Sequence, residues 1–202
     1  LPLLKDPDSE NIIKTAYDFA SIHRSARTIA TATERAAKVV FALKNYARYD
    51  VNGEKTEVNI TEGVETVLTL YQNQIKQGVE VVRNYQDQLP AVLCYPDELN
   101  QVWTNLVHNA LQAMGNKGVL KIDVKHQPNA ISVSITDSGP GIPPEIMPRI
   151  FEPFFTTKPP GEGSGLGLDI VQKILEKHQG ELQVESVPGQ TKFTISLPIE
   201  IP

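Results

Sequence analysis

Cysteine is almost missing from this chain. Cys94 is the only one in 202 residues, which excludes an internal disulfide framework. No group of cysteines and histidines has structural-zinc spacing. No run of ~18 apolar residues exists to span a bilayer. The N-terminus also lacks the basic-then-apolar order of a signal peptide. Basic residues are outnumbered, 19 Lys and Arg against 24 Asp and Glu, for a net charge of −5. Neither nucleic acid nor an anionic membrane would be attracted to such a chain over long range, so any phosphate site must be a local one. A reducing, cytoplasmic setting fits. The start at Leu1 without methionine points to a piece of a longer protein, which is free to carry sensor or membrane-anchoring segments.

What is present is enough apolar residue, 40%, for one full core plus an appendage. Between Pro7 and Gly53 there is neither proline nor glycine. Apolar or small residues recur there at Ile12, Thr15, Phe19, Ile22, Ala26, Ile29, Thr33, Ala36, Val40, Leu43 and Ala47. Their alternating steps of three and four make a heptad seam. Asp8 or Ser9 can cap its start and Asn52-Gly53 can stop it. A helix of ~40 residues would run roughly 60 Å, so residues 1–50 read as a stalk that packs on partner helices. An ordinary long surface helix is the alternative, because the seam is rich in threonine and alanine.

Beyond Gly53 the pattern shortens. Residues 57–60 alternate as a strand, 61–76 read as an amphipathic helix capped by Thr61, and 79–84 are β-branched. Residues 96–114 form a strong helix with Pro96 in its first turn. Strands at 119–125 and 130–136 make a hairpin across residues 126–129. A helix at 166–178 ends before Gly180, and strands at 182–185 and 191–197 close a last hairpin across Pro188-Gly189. The fold class is α+β, a two-layer α/β sandwich of one mixed sheet with helices on one face, preceded by the long helix. The stretch 139–167 is rich in proline and glycine and has no periodicity. A long irregular segment inside a compact domain is usually functional.

Four segments carry candidate chemistry. Asn105 and Asn109, within Asn105-Leu-Val-His-Asn109-Ala110, lie four apart, so both amides share one helix face; helix packing would use them equally well. Asp137, in Asp137-Ser-Gly-Pro-Gly141, ends an alternating strand, and its carboxylate is acceptor-only when ionised, although strand-end aspartates are common turn residues. Gly139 and Gly141 allow close backbone approach. Lys158 closes Phe151-Glu-Pro-Phe154-Phe155-Thr-Thr-Lys158; alone it reads as a solvated charge. Gly163-Ser-Gly-Leu-Gly-Leu168 runs into a helix with Ser164 as its cap, and a glycine-rich turn joined to a positive helix end forms an anion site. His108 could touch phosphate or simply pack.

Together and in this order, the four segments closely resemble the N, G1, F and G2 boxes of sensor histidine kinases. These belong to the Bergerat-fold ATP-binding proteins, which also include gyrase and the mismatch-repair ATPases. The resemblance covers about residues 55–200. It implies that residues 51–202 are an ATP-binding catalytic domain and that residues 1–50 are the second helix of a dimerisation hairpin. It also implies Asp137 on the adenine amine and Asn109 on Mg²⁺, with Ile142 and Thr191 beside the base. Gly163, Ser164, Gly165, Leu166, Gly167 and Leu168 would lie along the phosphates, and Phe151 and Lys158 on a lid over ATP. Gln190 departs from the family, which usually has glycine there; this bears on Thr191.

Hydrolysing relatives place a water-activating glutamate where this chain has Asn105, and an amide cannot take a proton at neutral pH. Transfer to an acceptor is therefore expected, with Asn105, Asn109 and Lys158 as the catalytic set. None of the four histidines, His23, His108, His126 and His178, precedes an acidic residue, so no phosphoacceptor is identified and it is expected upstream of Leu1. The implied partners are ATP with Mg²⁺, an upstream acceptor helix, a second copy in the intact protein and a response-regulator receiver domain, with no nucleic acid. A serine-directed kinase, a hydrolase and a non-catalytic nucleotide sensor are the competing readings.

Overall fold

The computed structural model describes residues 11–26, 29, 54–159 and 163–199. The caps expected at Asp8 or Ser9, the stop at Asn52-Gly53 and the seam positions from Thr33 onward lie outside these residues. The chain divides into two units: residues 1–49 with 158–164, and residues 50–157 with 165–202. In the first unit, residues 11–26 and 29 are helical, and the apolar side chains Ile12, Tyr17, Phe19, Ile22 and Ile29 are all exposed, Phe19 to 74%. Among the described residues no helix is long and apolar enough to cross a membrane.

Among its described residues the second unit holds seven strands: β1 (Thr56–Val58), β2 (Val79–Tyr85), β3 (Val92–Cys94), β4 (Gly118–Gln127), β5 (Ala130–Asp137), β6 (Glu181–Val187) and β7 (Gln190–Pro198). Its helices are α1 (Ile60–Leu70), α2 (Gln72–Ile75), α3 (Pro96–Ala113) and α4 (Gly167–Lys177), with a 3₁₀ turn at Met147–Arg149. Five strands form one mixed sheet in the order β2-β4-β5-β7-β6, in which only the β2–β4 pair is parallel. β1 and β3 pair separately as a short antiparallel ribbon.

Alternation along the strands decides which face the helices cover. Leu120, Ile122 and Val124 of β4, Ile131, Val133 and Ile135 of β5, and Phe193, Ile195 and Leu197 of β7 are buried. Cross-strand register places them in rows on one face. Against that face α3 turns Leu99, Val102, Trp103, Leu106, Val107 and Leu111, flanked by Val64 and Val67 of α1 and by Ile170, Val171, Ile174 and Leu175 of α4. The opposite face is polar. Lys121, Asp123, Lys125, Ser132, Ser134, Thr136, Lys192 and Thr194 line a shallow open groove there of ≈ 470 Å³. Asp137 continues the odd-numbered row of β5, so the alternation that buries Ile135 puts Asp137 on the helix side, at the sheet's end.

The expected α+β two-layer sandwich is what forms, and its helix ends correct the sequence reading in detail. Asn59, not Thr61, caps α1: its Oδ1 accepts from the Thr61 amide at 3.1 Å and from the Thr61 hydroxyl at 2.8 Å. The helix expected over 61–76 breaks at Tyr71 into α1 and α2. β3 was not expected, because three residues between Pro90 and Pro96 are too few to show alternation. Ser164 does not cap α4; the N-cap is Leu166, with no side-chain bond. Gly165, at φ 67, uses the intervening residue for a left-handed turn.

Because Asn59 supplies the cap, Asn59→Ala is expected to cost about 1 kcal/mol of stability. Thr61→Ala should cost less, and urea unfolding of both variants checks the difference.

Candidate functional site

The part of the site carried by the second unit is built where α3, α4 and the end of β5 meet. Asn105 and Asn109 follow each other at one helical turn on α3, and the side they share with each other faces the start of α4. A Cβ at Gly167 would lie 3.6 Å from Asn105 Oδ1 and 3.9 Å from Asn109 Nδ2. The first amides of α4 have no side-chain cap, so two carboxamides stand beside the positive end of a helix whose N–H groups have no acceptor from a cap. Asn105 Oδ1 accepts a long bond from Gln101 Nε2, 3.5 Å. Its Nδ2 is buried with no hydrogen-bond partner among the described residues. A buried donor left in that state costs about 1–3 kcal/mol, and an acceptor entering the space would recover it.

Asp137 is 5% exposed. Its Oδ1 accepts from the Gly139 amide at 2.8 Å, and the second oxygen has lone pairs available to a donor entering the pocket. Burial pushes the carboxyl above the usual carboxylate range, partly offset by the Gly139 bond. Glycine is required on both sides of this turn. A Cβ at Gly139 would come 2.6 Å from Asp137 Oδ1, and one at Gly141, φ 85, would run into the Val187 carbonyl. The turn is tied to the last hairpin: the Ile142 amide donates to Ser186 Oγ at 2.7 Å, and Ser186 Oγ lies 3.1 Å from Thr191 Oγ1. Thr191 is buried and sits directly opposite Asp137 in the ladder. Asp137, Gly139, Gly141, Ile142 and Thr191 are therefore brought together. Gln190 keeps an ordinary negative-φ backbone, since Gly189 takes the left-handed turn position at φ 91, so the departure from glycine at 190 does not displace Thr191.

The aromatic segment is pinned to the glycine turn. The Phe154 amide donates to the Gly165 carbonyl at 2.9 Å, and any side chain at Gly165 would strike the Phe154 backbone. Phe154 itself is left-handed, φ 67, and exposed, while Phe151 and Phe155 are half-buried. Arg149 lies 4.3 Å over the Phe155 ring and pairs with Glu152 at 3.1 Å. Leu166 is buried and Leu168 half-buried. Lys158, Gly163 and Ser164 fall in the first unit. His108 packs its ring against Tyr71, 5.8 Å between centroids.

Two positioning groups escaped the sequence reading. Ser138 Oγ accepts the Val119 amide at 2.9 Å while its own amide donates to the Val119 carbonyl, anchoring the Asp137 turn to β4. Ser186 holds Ile142 from a strand 44 positions away. Neither has a local signal beyond a polar residue at a strand end.

The site thus lies at the edge of a mixed sheet covered on one side by helices, with a buried carboxylate beside a glycine turn. The family described as histidine kinase-, DNA gyrase B- and HSP90-like ATPase matches residues 94–201, and the chain belongs to it. It is 37% identical over 159 residues to the sensory histidine kinase/phosphatase NtrB of Vibrio alginolyticus, covering 73% of this chain and 45% of that protein. It is 44% identical over 116 residues to the sensor histidine kinase ZraS of Escherichia coli K12, covering 57% of this chain and 24% of that protein. The chain thus spans less than half the length of these curated relatives. Among solved structures, the catalytic domain of histidine kinase ThkA superposes with TM-score 0.67 at 34% identity, over 72% of this chain and 96% of that one. ThkA in complex with the response regulator TrrA matches with TM-score 0.69 at 28% identity, over 82% of this chain and 48% of that one.

Burial of the Asp137 carboxyl makes the stability of the domain pH-dependent. Folding favours its neutral form, so the penalty of ionising it sets in as pH rises through the usual carboxylate range and grows until pH passes the raised folded-state value. Asp137→Asn is expected to raise the melting temperature of the nucleotide-free protein at pH 7, with the gain vanishing as pH falls below that range. Thermal melts across pH check this.

Proposed function

We propose that this chain is the ATP-binding catalytic part of a sensor histidine kinase, transferring the γ-phosphoryl group of ATP to a histidine supplied by another helix. The observation that carries the reading is the meeting of the Asn105 and Asn109 amides with the uncapped start of α4 at Gly167. A triphosphate entering there meets helix amides with no competing cap, and the orphan Asn105 Nδ2 gains an acceptor.

Asp137 would accept from the exocyclic amine of adenine, with Gly139, Gly141, Ile142 and Thr191 shaping the wall around the base and Phe151 bordering it. Gly163, Ser164, Gly165, Leu166, Gly167 and Leu168 would follow the phosphates. The donor set also suits Mg²⁺ brought in with ATP. Among the described residues no three His, Cys, Asp or Glu side chains cluster as a resident metal site, and Asn109 Oδ1 is a hard neutral oxygen fit to share an ion with phosphate oxygens. When bound, the ion would screen triphosphate charge. Lys158, a point charge on a long aliphatic stem, would neutralise charge developing on the γ-phosphoryl group.

In the transfer, an imidazole nitrogen forms the new P–N bond as the bond from the γ-phosphorus to the bridging oxygen breaks, and ADP leaves with that oxygen. Catalysis of this kind is positioning and charge stabilisation. Asn105 cannot accept a proton from water, so the arrangement disfavours hydrolysis. The histidine phosphate would pass to an aspartate of a response-regulator receiver domain. The acceptor helix would lie in the same intact protein, which would act as a homodimer in the cytoplasm. The exposed apolar side chains of residues 12–29 support a helix-packing stalk.

Asp137→Asn is expected to weaken ATP binding at least about tenfold, ~1.4 kcal/mol, because one charge-assisted bond is replaced by a donor facing a donor. Unchanged affinity by calorimetry would remove Asp137 from the base site. Incubated with γ-labelled ATP, this chain alone is expected to stay unlabelled and to give acid-labile label to a supplied acceptor hairpin; acid-stable label would point instead to a serine-directed kinase.

A further inference from the structure

His178 follows the last residue of α4 and is buried, 6% exposed. Both ring nitrogens are bound to main-chain groups. Nε2 receives the Tyr95 amide at 3.0 Å, and Nδ1 lies 2.8 Å from the Ile174 carbonyl. A main-chain amide can only donate and a carbonyl can only accept, so the ring must be neutral with its proton on Nδ1. Tyr95 is the N-cap of α3 and its side chain makes no capping bond.

Glu98 stands three residues past that cap, where a capping box would return a carboxylate to the Tyr95 amide. It does not do so. The imidazole has that amide, and one Glu98 oxygen binds Lys177 at 2.7 Å. The other, Oε2, is buried with no hydrogen-bond partner among the described residues. Lys177 also lies 4.2 Å over the Tyr95 ring, which meets the His178 ring in a T-shaped contact. The end of α4 is thus fastened to the beginning of α3, and the start of α4 at Gly167 meets Asn105 at the middle of α3 and Asn109 one turn further on.

We propose that His178 is a positioning residue for the nucleotide site, a neutral-imidazole latch that sets α3 against α4 by accepting the Tyr95 amide and releases it when protonated. This rests on the nucleotide reading above. Protonation puts a hydrogen on Nε2, the Tyr95 amide loses its acceptor, and the new N–H can turn to the waiting Glu98 oxygen. The groups facing the ring are Glu98 and Tyr95 from α3, Lys177 and the Ile174 carbonyl from α4, and Lys55 ahead of β1. Burial lowers the imidazole's affinity for protons, the Ile174 bond and Glu98 oppose this, and Lys55 and Lys177 add to it. With the folded-state value depressed, the stabilisation is complete above the ordinary imidazole range and is lost as pH falls through and below it.

The test compares the whole chain with His178→Gln, whose carbonyl can accept the Tyr95 amide at any pH. Because the terminal phosphate of ATP titrates in the same region, the readout is the ratio of Mg·ATP affinities, wild type over variant. That ratio is expected to fall ~3-fold from neutral pH to below the imidazole range, the worth of about one hydrogen bond; a ratio independent of pH overturns the proposal. Should His178→Gln fail to fold, wild-type NMR decides: the Tyr95 amide shift should titrate with the midpoint of the His178 ring, and an indifferent Tyr95 amide sinks it. Co-titration in a protein that binds no ATP at any pH would instead locate the failure in the nucleotide reading.

Discussion

Covering one face of a twisted sheet with α3 is the constraint on which the rest depends. The helix must turn Leu99, Val102, Trp103, Leu106 and Leu111 inward to exclude water from Ile122, Ile135 and Ile195. With that face committed, Asn105 and Asn109 have no freedom of direction, because the 3.6-residue period carries them to the flank where α4 begins. The same commitment brings Asp137 under cover, since period two along β5 cannot bury Ile135 without burying Asp137 two positions on. Core packing therefore places these polar groups at one edge of the apolar layer, where, on the proposed reading, a base would be half-buried and a triphosphate would stay wet.

Those placements were legible in the sequence because each follows from a local period. The spacing of Asn105 and Asn109 gives a shared face, the alternation of Ile131, Val133 and Ile135 gives the position of Asp137, and Pro188-Gly189 gives the last hairpin. What was not legible is set by contacts between distant positions or by competition between similar neighbours. Asn59 and Thr61 both have a capping oxygen, and only the extended backbone at Asn59 selects it. Ser164 looks like a cap until Gly165 turns left-handed and gives its carbonyl to Phe154. Ser186 and Ile142 meet only because β6 lies at the sheet edge beside the glycine turn, and His178 meets Tyr95 across 83 positions.

The site also shows polar groups held in readiness at a cost. A buried carboxylate at Asp137 and an Asn105 Nδ2 with no partner among the described residues both weaken the empty domain, and on the proposed reading a nucleotide would relieve both at once. Binding energy would then partly reflect the removal of pre-existing penalties, which would favour a ligand presenting a donor at one end and an anion at the other.

The uncovered side of the sheet sets a limit on architecture. Its rows carry lysine, serine and threonine, with Ser134 bonded to Thr194 across the strands and Lys121 paired to Asp123. Laying a third stratum of protein on that surface would strip water from hydroxyls and ammonium groups without offering them new partners. Growth of this molecule by stacking is therefore unfavourable, and additions to the chain are best tolerated at its ends and loops.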